Sequence, residues 1–232
     1  IKYFKEVVSN LEEVEVQGYK FYTGMYDEYP IVISKTNVGL IEGTLATYIG
    51  ITKFNPIAII NQGTAGGCSK NAHNYDIILG AECININSYI TKKREETQGS
   101  MPLEWELLTF KDGKDELIKL QADNKLLNIA LKCADKYNKG NIIASTIGSG
   151  DVWDNEIDRI KWFNEKYNVE CEDMETISTY SVCKKLNIPV LGVRVISDNE
   201  ILKEEYDKNI GIESQKYTIE VVKELIKSLT GE

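Results

Sequence analysis

Three short segments hold the residues with which this sequence could do chemistry. Each follows a β-branched run, and ligand crevices in open α/β sheets lie beyond the carboxyl ends of strands. Asn61-Gln62-Gly63-Thr64-Ala65-Gly66-Gly67 reads as a small-residue loop after the strand expected at 57–61, whose backbone N–H groups can approach a ligand closely. It lacks the Gly-Lys-Ser/Thr ending of a phosphate-binding P-loop. Ser149-Gly150-Asp151-Val152-Trp153 sets an aromatic beside free backbone, a pairing that can stack on a flat heterocycle and bond its edge; a lone Trp153 equally suits a core. Glu172-Asp173-Met174-Glu175-Thr176 opens a helix, and the chain then runs through Asn187-Ile188-Pro189 into Arg194-Val195-Ile196-Ser197-Asp198. Acidic residues at a helix start commonly serve the dipole, and Ser-Asp after a strand commonly caps the next helix. These carboxylates therefore carry a structural reading beside the chemical one. Arg194 reads as the partner of a buried carboxylate.

The elements that must position these segments follow from periodicity. Short β-branched runs alternate with longer amphipathic stretches, the pattern of strands joined by crossover helices around a mostly parallel sheet. Inner strands are expected at 31–34, 57–61, 77–79, 142–147 and 190–196, and helices at 3–11, 41–51, 124–137, 155–166, 174–186 and 212–229. Between 89 and 123 the pattern breaks into the charged runs Lys92-Lys93-Arg94-Glu95-Glu96 and Lys111-Asp112-Gly113-Lys114-Asp115, which read as solvated loop. Trp105 and Leu107, between them, are candidates to cover a neighbouring site or a partner subunit. With 232 residues, 42% of them apolar, one domain spanning 1–232 can bury a sizeable core.

Charge and cysteine usage exclude several classes of function. The balance of 27 basic against 36 acidic residues gives a net charge of −9 with no long basic stretch, which argues against nucleic-acid or anionic-membrane partners. Five scattered cysteines without a C-x-x-C pair read as buried thiols of a reducing, cytoplasmic compartment. The single histidine, His73, sits among Asn71, Asn74 and Asp76 as in an exposed turn, so neither a His-based metal site nor a Ser-His-Asp triad is expected. No apolar run reaches the ~20 residues needed to span a bilayer.

Taken together, N-x-G-T-A-G-G at Asn61, S-G-D at Ser149, D-M-E at Asp173 and V-R-V-I-S-D at Val193 resemble the purine nucleoside phosphorylase superfamily, most closely its 5′-methylthioadenosine/S-adenosylhomocysteine nucleosidase branch. The resemblance implies a three-layer α/β/α fold with a mostly parallel, mixed central sheet. It implies hydrolysis of the N-glycosidic bond of a small-molecule purine nucleoside, releasing adenine and a 5-thioribose, by a homodimer that uses no cofactor and no metal. Asp198 matches the general acid that protonates N7, with Ser197 positioning it. Glu175 matches the glutamate that binds the ribose hydroxyls and stabilises the oxocarbenium-like charge. Met174 would pack on the ribose, Trp153 on the base, Asp154 would read the adenine edge through its backbone, and Thr64 and Gly66 would line the pocket. In the neighbour-facing role that the family gives to a loop of the second subunit, the resemblance points to the apolar patch at 101–108.

The phosphorylase branch carries an arginine just before its G-[ST]-x-G turn, where this chain has Asn61 and Gln62, so water is the expected nucleophile. The family's water-activating glutamate lies in a G-A-M-x-x-E segment that, with the first strand, is expected ahead of Ile1; Glu6 lies within the first helix pattern. Two alternatives stand beside hydrolysis: a purine nucleoside phosphorylase, and a non-catalytic nucleoside-binding homologue.

Overall fold

The computed structural model describes residues 1–111 and 114–231, and gives side-chain surroundings for all of these except 109–111 and 114–116. In chain order the elements are α1 (Lys2–Val7), β1 (Ser9–Val16), β2 (Tyr19–Tyr26), β3 (Tyr29–Ser34), α2 (Leu40–Phe54), β4 (Ile59–Gly67), β5 (Ile77–Asn85), β6 (Tyr89–Ile90), β7 (Glu106–Leu107), β8 (Thr109–Lys111), β9 (Lys114–Glu116), β10 (Lys119–Gln121), α3 (Asn124–Lys132), β11 (Ile142–Ser149), α4 (Ile157–Tyr167), β12 (Val169–Asp173), α5 (Thr176–Leu186), β13 (Val190–Asp198) and α6 (Gly211–Thr230). Six strands form a mixed central sheet in the order β10-β5-β11-β12-β4-β13. Parallel pairs are β5·β11, β11·β12 and β4·β13, while β10·β5 and β12·β4 run antiparallel. β13 also pairs antiparallel with β5 through Val193↔Leu79, so the two sides of the sheet meet. Helix α5 packs on β5, β10, β11 and β13 with α2 against it, and α6 packs on β4 and β13. The fold is thus the mixed α/β arrangement the alternation of elements implies.

Local chemistry explains the element ends. Helices α2, α4 and α5 stop at Asn55, Asn168 and Asn187, each in the left-handed region that asparagine tolerates better than most residues. Asp123 accepts from the Leu126 N–H and starts α3. Every residue from 190 to 197 is buried, which is why β13 reads as an apolar run broken only by Gly192, Arg194 and Ser197.

The structure corrects several expectations. The helix expected at 3–11 ends at Val7, because Val8 is already extended and the following Leu11, Val14 and Val16 alternate inward as a strand paired with β2. The strand expected at 31–34 is real but belongs to a separate antiparallel sheet, β1-β2-β3, not to the central one. Two-residue turns at Gln17-Gly18 and Asp27-Glu28, all with positive φ, close these hairpins in the sense that suits strand twist. β12 falls between two expected helices and was hidden by its charges: Val169, Cys171 and Asp173 point inward while Glu170 and Glu172 alternate with them.

The 89–123 segment is not simple loop either, since it contributes β6 to β10. Trp105 meets Tyr89 edge to face at 5.1 Å, and Leu107 and Leu108 are buried, Leu107 within the chain's own second core. Of the charged run at 111–115, residues 112 and 113 lie outside the described residues. All five cysteines are free and buried. No helix among the described residues is long and apolar enough to cross a membrane.

Candidate active site

A cavity of about 410 Å³ opens where the carboxyl ends of β4, β12 and β13 and the turn after β11 converge. All eight residues singled out from the sequence line it: Thr64, Gly66, Trp153, Asp154, Met174, Glu175, Ser197 and Asp198. Register explains the convergence. Asp198 on β13 and Glu172 on β12 both pair with Gly66 on the intervening β4, so two carboxyls flank a position without a side chain. The β13 register slips by one residue at Ser197, which aligns Asp198 and not Ser197 with Gly66. A Cβ at Gly66 would stand 3.3 Å from Asp198 Oδ2 and fill the floor between them.

Burial raises the Asp198 pKa, against a lowering by the Ser197 hydroxyl, which donates to Oδ1 at 2.7 Å; the nearby Glu200 charge adds to the rise. A carboxyl in this position keeps a proton further toward neutral pH than a solvated aspartic acid does. Ser-Asp at this point does not cap a helix, because the chain continues through turns before α6 begins at Gly211.

Glu175 occupies the N-cap position of α5 but makes no side-chain cap bond there. Its Oε1 instead accepts from the Gly39 N–H at 3.0 Å, and burial together with the Asp173 charge raises its pKa while Arg194 and that N–H lower it. Gly39 is required in this place: its φ is +104°, and a Cβ would stand 2.9 Å from Asp151 Oδ1, which accepts from the Leu40 N–H at 2.7 Å. The start of α2 therefore rests on two carboxylates, Glu175 and Asp151.

Arg194 is 1% exposed and fully engaged, with Nε donating to Asp173 Oδ2 at 2.5 Å, Nη1 to the Asn61 carbonyl at 2.9 Å and Nη2 to Asn61 Oδ1. Asn61 also donates to Thr179, and Asp173 accepts from the Thr176 N–H and hydroxyl. The buried arginine–carboxylate reading of Arg194 holds. Gln62 accepts from Ser214 at 2.6 Å. His73 is exposed and bonded to Glu204, as the turn expectation has it, and Glu6 is exposed on α1 away from the cavity.

Trp153 is not a core residue. It is 63% exposed and forms one wall of the cavity edge to face with Tyr206, ring centroids 5.5 Å apart. The side chain of Asp154 turns inward, with Oδ1 accepting from the Glu156 N–H at 2.9 Å and Oδ2 3.5 Å from Arg159 Nε. Reading the sequence alone missed Tyr206, Glu172, Cys68 and Lys35, which also line the cavity. The Glu170-x-Glu172 alternation on a strand was the available signal for Glu172; Lys35 and Tyr206 lie in segments with no distinguishing pattern. No described residue from 89 to 123 lines the cavity, Trp105 and Leu107 included. Among the described residues, no group of three or more His, Cys, Asp or Glu side chains converges as metal ligands do.

Comparison with known proteins gives the family and the fold. A family model described as the phosphorylase superfamily matches residues 1–229. A 5′-methylthioadenosine/S-adenosylhomocysteine nucleosidase of Staphylococcus carnosus is 24% identical over 228 residues, covering 97% of this chain and 93% of the relative. Among solved structures, the corresponding nucleosidase of Neisseria meningitidis in complex with methylthio-immucillin-A superposes with a TM-score of 0.77 at 22% identity, covering 96% of this chain and 94% of that one. Futalosine hydrolase of Helicobacter pylori superposes equally well, with a TM-score of 0.78 at 19% identity over 95% of this chain and 91% of that one.

Proposed function

The chain belongs to the phosphorylase superfamily, and from that premise we propose that it is a nucleosidase, a single-domain enzyme hydrolysing the N-glycosidic bond of 5′-methylthioadenosine- and S-adenosylhomocysteine-type nucleosides. One observation carries the reading: a half-buried, pKa-raised Asp198 and a half-buried, pKa-raised Glu175 line one cavity, each held by its own hydrogen bond.

A purine anion is a poor leaving group, so the C1′–N9 bond breaks as a proton reaches N7. Asp198 supplies that proton, and the bonding pair goes to the base, which departs neutral. Glu175 binds the ribose hydroxyls and opposes the positive charge that grows on the sugar. Water adds to C1′, loses a proton to solvent, and Asp198 regains one. Met174 packs on the ribose, and Trp153 with Tyr206 covers the base. Backbone groups of Asp154 meet the base edge, while Thr64 and Gly66 form the floor.

Water is favoured over phosphate because the polar side chains of Asn61 and Gln62 are taken up by Arg194, Thr179 and Ser214. One feature favours the phosphorolytic alternative: the ammonium-bearing Lys35 lines the cavity. An exposed stripe on α2, with Ile41 at 71%, Leu45 at 44% and Tyr48 at 51%, supports a homodimer in preference to the 101–108 patch. Buried thiols support a reducing, cytoplasmic setting.

Adenine release from methylthioadenosine, adenosylhomocysteine and a futalosine-type nucleoside, each with and without phosphate, tests the proposal. Phosphate-independent release from the thio-nucleosides is expected. Strict phosphate dependence would move the chain to the phosphorylases, and turnover of only the futalosine-type nucleoside would overturn the substrate assignment.

A further inference from the structure

Beyond Gly66 the cavity ends in a wall whose chemistry the catalytic account does not use. Glu172, Asp154, Cys68 and Ile160 form it, against the second apolar core. Two carboxylate oxygens there, Glu172 Oε1 and Asp154 Oδ2, are buried without a hydrogen-bond partner. Native folds seldom leave such atoms open unless something else meets them.

Besides the neighbouring Cys171 on its own strand, four titratable or charged groups surround Glu172. Asp154 follows β11, Arg159 belongs to α4, Cys68 follows β4, and Tyr89 on β6 holds Arg159 from behind through a hydrogen bond to its hydroxyl. One guanidinium stands against two buried carboxyls, and it sits beside Asp154. Neutrality of the buried group thus leaves the proton on Glu172. Burial first, and then the Asp154 charge, push this carboxyl up to about 8, while Arg159 and the Cys68 thiol pull it down.

Position supplies the rest. Glu172 and Asp198 sit in register on either side of Gly66, two strand spacings or roughly 10 Å apart at their backbones, with side chains on one face of the sheet. On the reading given under Proposed function, N7 of the base meets Asp198 and the sugar meets Glu175. The six-membered ring of the purine then points at the Glu172 wall.

We infer that Glu172 is a specificity-determining residue, its carboxyl presenting an O–H donor and a C=O acceptor side by side to the N1 and 6-amino edge of adenine. The O–H donates to N1, and a carboxyl oxygen accepts from the amino group. The Asp154 charge favours the protonated form of Glu172. This inference rests on the cavity holding a purine, and not on the bond being cleaved.

Binding of free bases by calorimetry separates the two. Wild-type protein, Glu172→Gln and Glu172→Leu are titrated at pH 7 with adenine, hypoxanthine and unsubstituted purine, and nucleoside hydrolysis by the wild type is assayed in parallel. Wild type is expected to prefer adenine to unsubstituted purine by roughly tenfold, the worth of about one buried hydrogen bond to a polar group. Glu172→Leu is expected to lose that preference, and Glu172→Gln, whose amide keeps a donor and an acceptor, to recover most of it. At pH 9 the wild-type preference shrinks and that of Glu172→Gln does not. Thermal melting of both variants shows that they are folded.

If Glu172→Leu keeps the preference while the wild type hydrolyses nucleosides, this inference fails and the nucleosidase reading stands. If the preference follows Glu172 but no nucleoside is cleaved, the reverse holds. A wild-type preference for hypoxanthine over adenine overturns the adenine assignment, and no binding of any base overturns both.

Discussion

Two arginine–carboxylate clusters lie under the same cavity and are built differently. Around Arg194 the guanidinium bonds Asp173, Asn61 and the Val193 carbonyl, and Asp173 also accepts from Thr176, tying β4, β12 and β13 together. Around Arg159, Asp154 Oδ2 and Glu172 Oε1 are left without hydrogen bonds although both are buried. The first cluster is scaffolding, since each of its side chains has a hydrogen-bond partner within the protein. The second leaves acceptors open at the end of the cavity where a flat base points, and that unfinished state marks it as recognition. Burial and an arginine are common to both; completeness of hydrogen bonding separates them.

The largest effect that tests this contrast is on stability. Replacing Arg194 with Met leaves the buried Asp173 uncompensated and is expected to cost about 3–5 kcal/mol in urea unfolding. A loss of only ~1 kcal/mol would mean that the cluster is not scaffolding. Arg159→Met is expected to cost less, about 1–3 kcal/mol, because only one side of an already loose cluster is removed. The same change should move the Glu172 titration, followed by carboxyl NMR, upward, since Arg159 is what pulls it down.

The effect of Glu172→Gln on melting is read from its pH dependence. The folded protein holds the Glu172 proton up to about pH 8, whereas the unfolded chain gives it up near 4.5. Between those values the folded state binds more protons than the unfolded one, so stability falls as pH rises. The amide has no such term. Its melting temperature relative to wild type should climb from pH 5 to pH 8, by roughly 2–4 °C for each kcal/mol removed.

The finest test is Ser197→Ala. The Ser197 hydroxyl favours the ionised form of Asp198, so its loss raises the Asp198 pKa. The acid form then persists to higher pH, and the alkaline limb of kcat/KM should shift up by up to ~1 unit with little change in stability.

How far the sequence itself discloses this arrangement depends on the kind of signal. Asp198, Glu175 and the small-residue run ending at Gly67 were legible because each closes a strand or opens a helix with a distinctive local pattern. The apolar run of β13 announced itself for the same reason. β12 did not, because its alternating glutamates look like a solvated face until Ser69 and the cavity wall are seen to receive them. The helix expected at 3–11 failed because pairing with β2 overrides a short helical pattern. Tyr206 lies in a segment with no distinguishing pattern; only the turn after β13 brings it to Trp153.

The most direct test of the central claim is the rate of adenine release from methylthioadenosine by Asp198→Asn, measured beside nucleoside binding by the same protein. With Asp198 as the general acid, release should fall by ~10²–10⁴ while binding survives. Release within a few-fold of wild type, with the variant folded and binding, would contradict the assignment of Asp198 and with it the mechanism.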